Sequence, residues 1–139
     1  MTTFAVYSTT DGSIKGCGSS PDLSGADIFK DASTSVLDSG GIFADPALFY
    51  VRLSDATLQV RAALPAFSKT SVLANGIDAA VIASGLPNPT HVTVSGDGTE
   101  AFDVTDGALS LAFSAPGRYK VTLDAGMAYV VQTSTIVAT

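Results

Sequence analysis

Pro116-Gly117-Arg118-Tyr119-Lys120-Val121-Thr122-Leu123-Asp124-Ala125 is the stretch that decides the fold class. Pro116 presets φ and Gly117 supplies conformations closed to other residues, so the pair makes a turn. Tyr119, Val121, Leu123 and Ala125 then alternate with Arg118, Lys120, Thr122 and Asp124. That period of two predicts a strand with one face in a core and one in water.

The stretch preceding it is built the same way. Thr70–Ala74 ends at Asn75-Gly76, and Ala79–Ala83 ends at Gly85-Leu86-Pro87-Asn88-Pro89. Pro87 and Pro89 both remove ladder donors, so this link is expected to cross between sheets. His91–Ser95 alternates through Val92 and Val94, and Gly96-Asp97-Gly98-Thr99 turns. Ala101–Val104 follows, then the turn Asp106-Gly107, then Leu109, Leu111 and Phe113 in alternation. Tyr129–Val137 closes the series. Seven short strands at turn spacings of 8 to 12 residues predict an immunoglobulin-like β-sandwich over 67–139. It would be a disulfide-free variant, because the chain has no Trp and a single cysteine, Cys17. Tyr119 is placed to form a tyrosine corner, its hydroxyl bonding a nearby backbone group.

Residues 1–66 are less regular. Phe4-Ala5-Val6-Tyr7 and Ser13–Gly18 flank Asp11-Gly12, a strong hairpin-turn signal. Ser24–Asp31 has room for a short helix, although Gly25 weakens it. Leu48–Leu53 and Thr57–Arg61 form a second hairpin about Ser54-Asp55-Ala56. The expectation is a β-rich docking lobe, a meander of about four strands. That is near the size at which burial stops offsetting chain entropy, so the lobe should lean on a neighbour. The fold class expected overall is mainly β, with a small N-terminal β-meander lobe followed by the sandwich.

Composition narrows the function classes. Hydrophobic residues make up 46% of the 139, enough for a core, while charged residues are only 14%. The net charge is -6 and the seven basic residues are scattered, so no basic patch faces phosphate and nucleic-acid binding is not expected. The N-terminal residues lack the charged and apolar regions of a signal peptide, and no apolar run approaches a membrane span. A soluble chain made in the cytoplasm is expected, with no membrane partner.

The chemical inventory is thin. His91 is the only histidine and no Ser-His-Asp arrangement frames it. Cys17, between Gly16 and Gly18, has no local base to activate it. Asp97, Glu100, Asp103 and Asp106 cluster in sequence, but the order of an EF-hand is missing and Asp-Gly pairs are turn chemistry. Gly16-Cys17-Gly18 lacks the third glycine of a dinucleotide fingerprint. No enzyme, cofactor or metal is expected. Phe4, Tyr7, Phe43, Phe49, Tyr50, Phe67, Phe102, Phe113, Tyr119 and Tyr129 mostly fall on apolar alternation, and core packing rather than a sugar-binding platform is the default for them.

Several turn motifs carry a resemblance: Ala74-Asn75-Gly76-Ile77-Asp78, Gly85-Leu86-Pro87-Asn88-Pro89-Thr90, Asp106-Gly107-Ala108-Leu109 and Pro116–Val121, with the opening hairpin Phe4–Gly18. Together they resemble small virion-associated proteins encoded near the tail and tail-fibre genes of tailed bacteriophages. The resemblance spans about two thirds of the chain and rests on turns. It implies a structural part of the virion at the tail, baseplate or fibre attachment, present in multiple copies in a symmetric assembly with other virion proteins. It carries over no catalytic residues. The alternatives are a capsid decoration or cement protein, and a host-receptor or carbohydrate-binding module. Candidate interface positions are Phe43, Leu48 and Phe49 in the first lobe and Arg118 and Lys120 on the outward face of the strand quoted above.

Overall fold

The computed structural model describes residues 1–139. Strands hold 48% of the residues and helix 5%, so the protein is mainly β. It comprises two compact units, Met1–Ala62 and Ala63–Thr139.

The first unit contains β1 (Thr2–Ser8), β2 (Ile14–Ser20), β3 (Thr34–Asp38), β4 (Phe49–Arg52) and β5 (Thr57–Val60). β1 is the middle of an antiparallel sheet of order β2-β1-β3, and β4 pairs with β5 as a separate hairpin. The run Phe4-Ala5-Val6-Tyr7 is buried at every position. Side chains alternate across a strand, so a continuous apolar run means both faces are covered. Phe4 and Val6 pack with Val36 and with Ala26 of a 3-10 helix, Leu23–Phe29. Ala5 and Tyr7 pack on the other face with Ile14, Leu37, Ala44 and Val51.

Two sequence expectations are corrected here. The first unit has five strands rather than about four, because Thr34–Asp38 is β3. Its two apolar residues, Val36 and Leu37, are adjacent and buried on opposite faces, so no alternation marks them. The segment with room for a helix over 24–31 is a 3-10 helix at Leu23–Phe29, capped by Asp22, which accepts from the Gly25 N–H at 3.3 Å. Gly25 sits against Ser20, where a Cβ would come within 3.0 Å of the Ser20 Cβ.

The second unit holds the seven strands the turns imply: β6 (Ser71–Val72), β7 (Ala79–Ile82), β8 (Thr90–Ser95), β9 (Thr99–Val104), β10 (Leu109–Ala112), β11 (Gly117–Asp124) and β12 (Gln132–Ala138). Five form a sheet of order β6-β12-β11-β8-β9, in which only the β6–β12 pairing is parallel. The other two pair as β10-β7. The Pro87–Pro89 link therefore does carry the chain from one sheet to the other, as does the Asp106-Gly107 turn. One core joins both sheets: Ala80, Ile82, Leu109 and Leu111 from the pair, and Val92, Val121, Leu123, Ile136 and Ala138 from the five. Leu64 is part of it.

The alternation over Arg118–Asp124 has its expected outcome. Val121 and Leu123 are fully buried, and Arg118, Lys120 and Asp124 are exposed. Tyr119 is half-buried. Its hydroxyl donates to the Ala115 carbonyl at 2.8 Å, and its ring stacks on Phe113 with centroids 4.0 Å apart. Gly96 makes room for that ring, since a Cβ there would approach it to 2.7 Å.

Candidate interaction surfaces

The turns are held by aspartates that accept from backbone N–H groups two or three residues on, the Asx geometry. Asp11 accepts from Ser13 N at 2.8 Å, Asp31 from Ser33 N at 2.7 Å and Thr34 N at 2.8 Å, and Asp38 from Gly40 N at 2.8 Å. Hydrogen bonding to the charged form holds the Asp11 and Asp31 carboxyls below the ordinary value, chiefly through Ser13 and Ser33 respectively. Asp55 goes down to about 2, because the Arg52 guanidinium grips it from Nε at 3.1 Å and the Thr57 hydroxyl donates to it. The Asp78 carboxyl is likewise lowered, by the Lys69 ammonium first and the Leu73 N–H next. Much of the acidic inventory is therefore occupied with loop structure.

The acidic residues adjacent in sequence part in space. Glu100 stands opposite Val94 and Asp103 opposite His91, so the two lie on opposite faces of β9. Asp103 meets His91 Nδ1 at 2.7 Å on the exposed face. Asp106 accepts from Ala108 N in the following turn. No three His, Cys, Asp or Glu side chains converge to hold a metal ion. Cys17 is an exposed free thiol on β2.

Of the candidate interface residues, Phe43 and Leu48 are exposed, at 62% and 47%. Phe49 is half-buried and packs onto the core below the β4–β5 hairpin. Arg118 and Lys120 are exposed on the outer face of the five-stranded sheet, among Thr93, Thr133 and Thr135. The structure adds residues that the sequence pattern did not single out. Ile28, Phe29, Ile42, Leu53 and Val60 are also exposed in the first unit, against Leu73, Ile77, Phe102 and Val131 in the second. Ile28 and Phe29 line a groove of about 410 Å³ together with Phe4, Val6 and Gly16. Gly16 presents open space there, with nothing within 4 Å of where a Cβ would be. The paired apolar residues at the end of Leu23–Phe29 were the available sequence signal: a helix of two turns on a small sheet cannot bury both.

A second groove, of about 470 Å³, lies in the second unit between β9 and β10. Phe102, Leu111, Phe113 and Tyr119 line it together with Asp97 and Glu100. Phe102 stands opposite the fully buried Val92 and so points to the inner side of its sheet, yet it is 39% exposed. The cause is the unequal width of the sheets: two strands do not cover five.

No protein-family model, no curated protein and no solved structure matches this chain.

Proposed function

We propose that the chain is a structural component of a tailed-phage particle, located at the tail, baseplate or fibre attachment and acting by protein-protein assembly. The observation that carries this is the apolar surface of the first unit. Ile28 at 83%, Val60 at 70% and Phe43 at 62% exposure are large side chains left in water by a unit of 62 residues. Large side chains left this exposed on so small a unit are surface that a partner chain can cover. The scarcity of charge and the use of aspartates as turn caps fit a chain whose surface meets neighbours rather than a substrate.

The second unit is proposed to be an immunoglobulin-like sandwich. Support comes from the strand order β6-β12-β11-β8-β9 facing β10-β7, from the parallel pairing of its first and last strands, and from the Tyr119 hydroxyl bonded to Ala115. In the assembly the first unit docks and the second projects or bridges.

Mass spectrometry of purified particles tests the proposal, with the chain expected among the virion proteins. Its absence from particles would end this reading. Copy number against the major capsid protein then separates a tail part, at about tens of copies or fewer, from a capsid decoration protein at hundreds. Phe43→Asp is expected to abolish incorporation while leaving the isolated chain folded, because Phe43 is exposed there.

A further inference from the structure

The free edge of β10 and the slot beside it have the geometry of a strand-acceptor site. β10 has a single ladder neighbour, β7, and its other edge faces the uncovered inner side of β9. In an antiparallel strand, alternate residues direct both N–H and C=O to the same side. Four residues, Leu109–Ala112, therefore present about two donors and two acceptors with no strand to meet them. The slot is lined by Leu111 and Ala112 at the end of β10 and by Thr99, Glu100 and Phe102 of β9. An added strand beside β10 would widen the two-stranded sheet to three and turn every second side chain toward the inner side of β9, where Phe102 lies. That addition satisfies the edge and removes apolar surface from water at once, which is how exposed sheet edges capture peptides.

Charge identifies the occupant. Asp97 and Glu100 line the slot, and no Lys, Arg or His side chain does. Neither carboxylate has an ion-pair partner. A second copy is a poor occupant, because two chains of net charge -6 repel. We infer that the β9–β10 slot binds an extended, basic segment of another protein as an added strand on β10, with apolar residues at alternate positions and lysine or arginine toward Asp97 and Glu100. The inference is independent of the particle proposal, since it concerns the second unit and requires only a partner chain.

The test uses the full chain, isotopically labelled for amide NMR, titrated with an acetylated octapeptide alternating lysine and valine. Expected are shift changes around the slot and slowed amide exchange within Leu109–Ala112. Glu100→Lys, an exposed position, should weaken binding about two- to fivefold. Peptides N-methylated at alternate residues distinguish strand addition from simple groove binding: one of the two methylation registers should lose binding. An octapeptide alternating glutamate and valine should bind at least tenfold more weakly. Shift changes centred on the first unit, unchanged exchange at β10, insensitivity to Glu100→Lys or to both methylation registers, or equal binding of the acidic peptide would each overturn the inference. So would concentration-dependent protection of β10 without peptide, which would assign the edge to a second copy.

Discussion

Gly12→Ala is expected to loosen the first unit far more than an ordinary glycine substitution in a turn. Gly12 sits at φ +80 in the β1–β2 turn. An alanine there pays for left-handed backbone, about 1 kcal/mol. The larger effect is contact: a Cβ would stand 2.0 Å from the Val51 carbonyl oxygen, a distance no real Cβ tolerates. The obstacle is backbone, so β4 has to move by at least about 1 Å, since dispersion contacts need 3 Å or more. The Val51 N–H donates to the Gly12 carbonyl at 2.8 Å, and displacement breaks that bond, at about 1 kcal/mol. Val51 is 1% exposed in the core with Tyr7, Ile14 and Leu37, so its shift also opens packing, at about 1–2 kcal/mol. The total is about 3–4 kcal/mol, against about 5–15 kcal/mol for a whole domain. Gly40→Ala is the control. Gly40 has φ +64 and open space around it, so only the backbone contribution of about 1 kcal/mol remains. Urea unfolding followed through β1 amide signals measures both. Equal costs for the two substitutions would refute the reasoning, because they would mean that β4 does not rest on the turn.

Three further outcomes are expected. Tyr119→Phe should cost about 1 kcal/mol in urea unfolding, from loss of the hydrogen bond to Ala115, and an unchanged midpoint would deny the corner any stabilising role. Leu123→Ala should cost about 2–5 kcal/mol, because its side chain is fully buried between the two sheets, whereas Lys120→Ala on the opposite face should stay within about 0.5 kcal/mol. Acid should destabilise the chain over a defined window. Asp11, Asp31, Asp55 and Asp78 are all lowered in the folded state, Asp55 to about 2, so the stability they contribute is complete above about pH 5 and is lost as pH falls through their folded values. Urea midpoints measured from pH 5 to pH 2 should fall steadily, and Asp55→Asn should flatten the fall; an identical slope in that variant would contradict the role given to Arg52 and Thr57.

The strands of the second unit were legible in number and order, with ends displaced by up to about three residues at Ser71–Val72, Thr99–Val104 and Gln132–Ala138. Turn chemistry at Asn75-Gly76, Gly96-Asp97-Gly98, Asp106-Gly107 and Pro116-Gly117 acts within a few residues, and β8, β10 and β11 each bury one face, so alternation survives in their sequences. The first unit was harder to read. β1 is covered on both faces and β3 buries two adjacent residues in opposite directions, so neither alternates. The candidate interface was legible in part: exposed Phe43 and Leu48 sit in irregular chain, while Phe49 turns inward to the hairpin core.

The strand quoted at the outset shows where local and tertiary information divide. Pro116-Gly117 and the period of two determined by themselves that Arg118–Asp124 would be a half-buried strand, and that Arg118 and Lys120 would face water. Only the tertiary structure placed that strand third of five, between β12 and β8, and left the inner side of β9 uncovered. Turn and pleat geometry are set by neighbours in the chain, whereas the width of a sheet, and therefore which of its inner residues stay wet, is set by strands far away in sequence. Phe102 has the same local pattern as a core residue. It is a surface residue because no third strand lies beside β10.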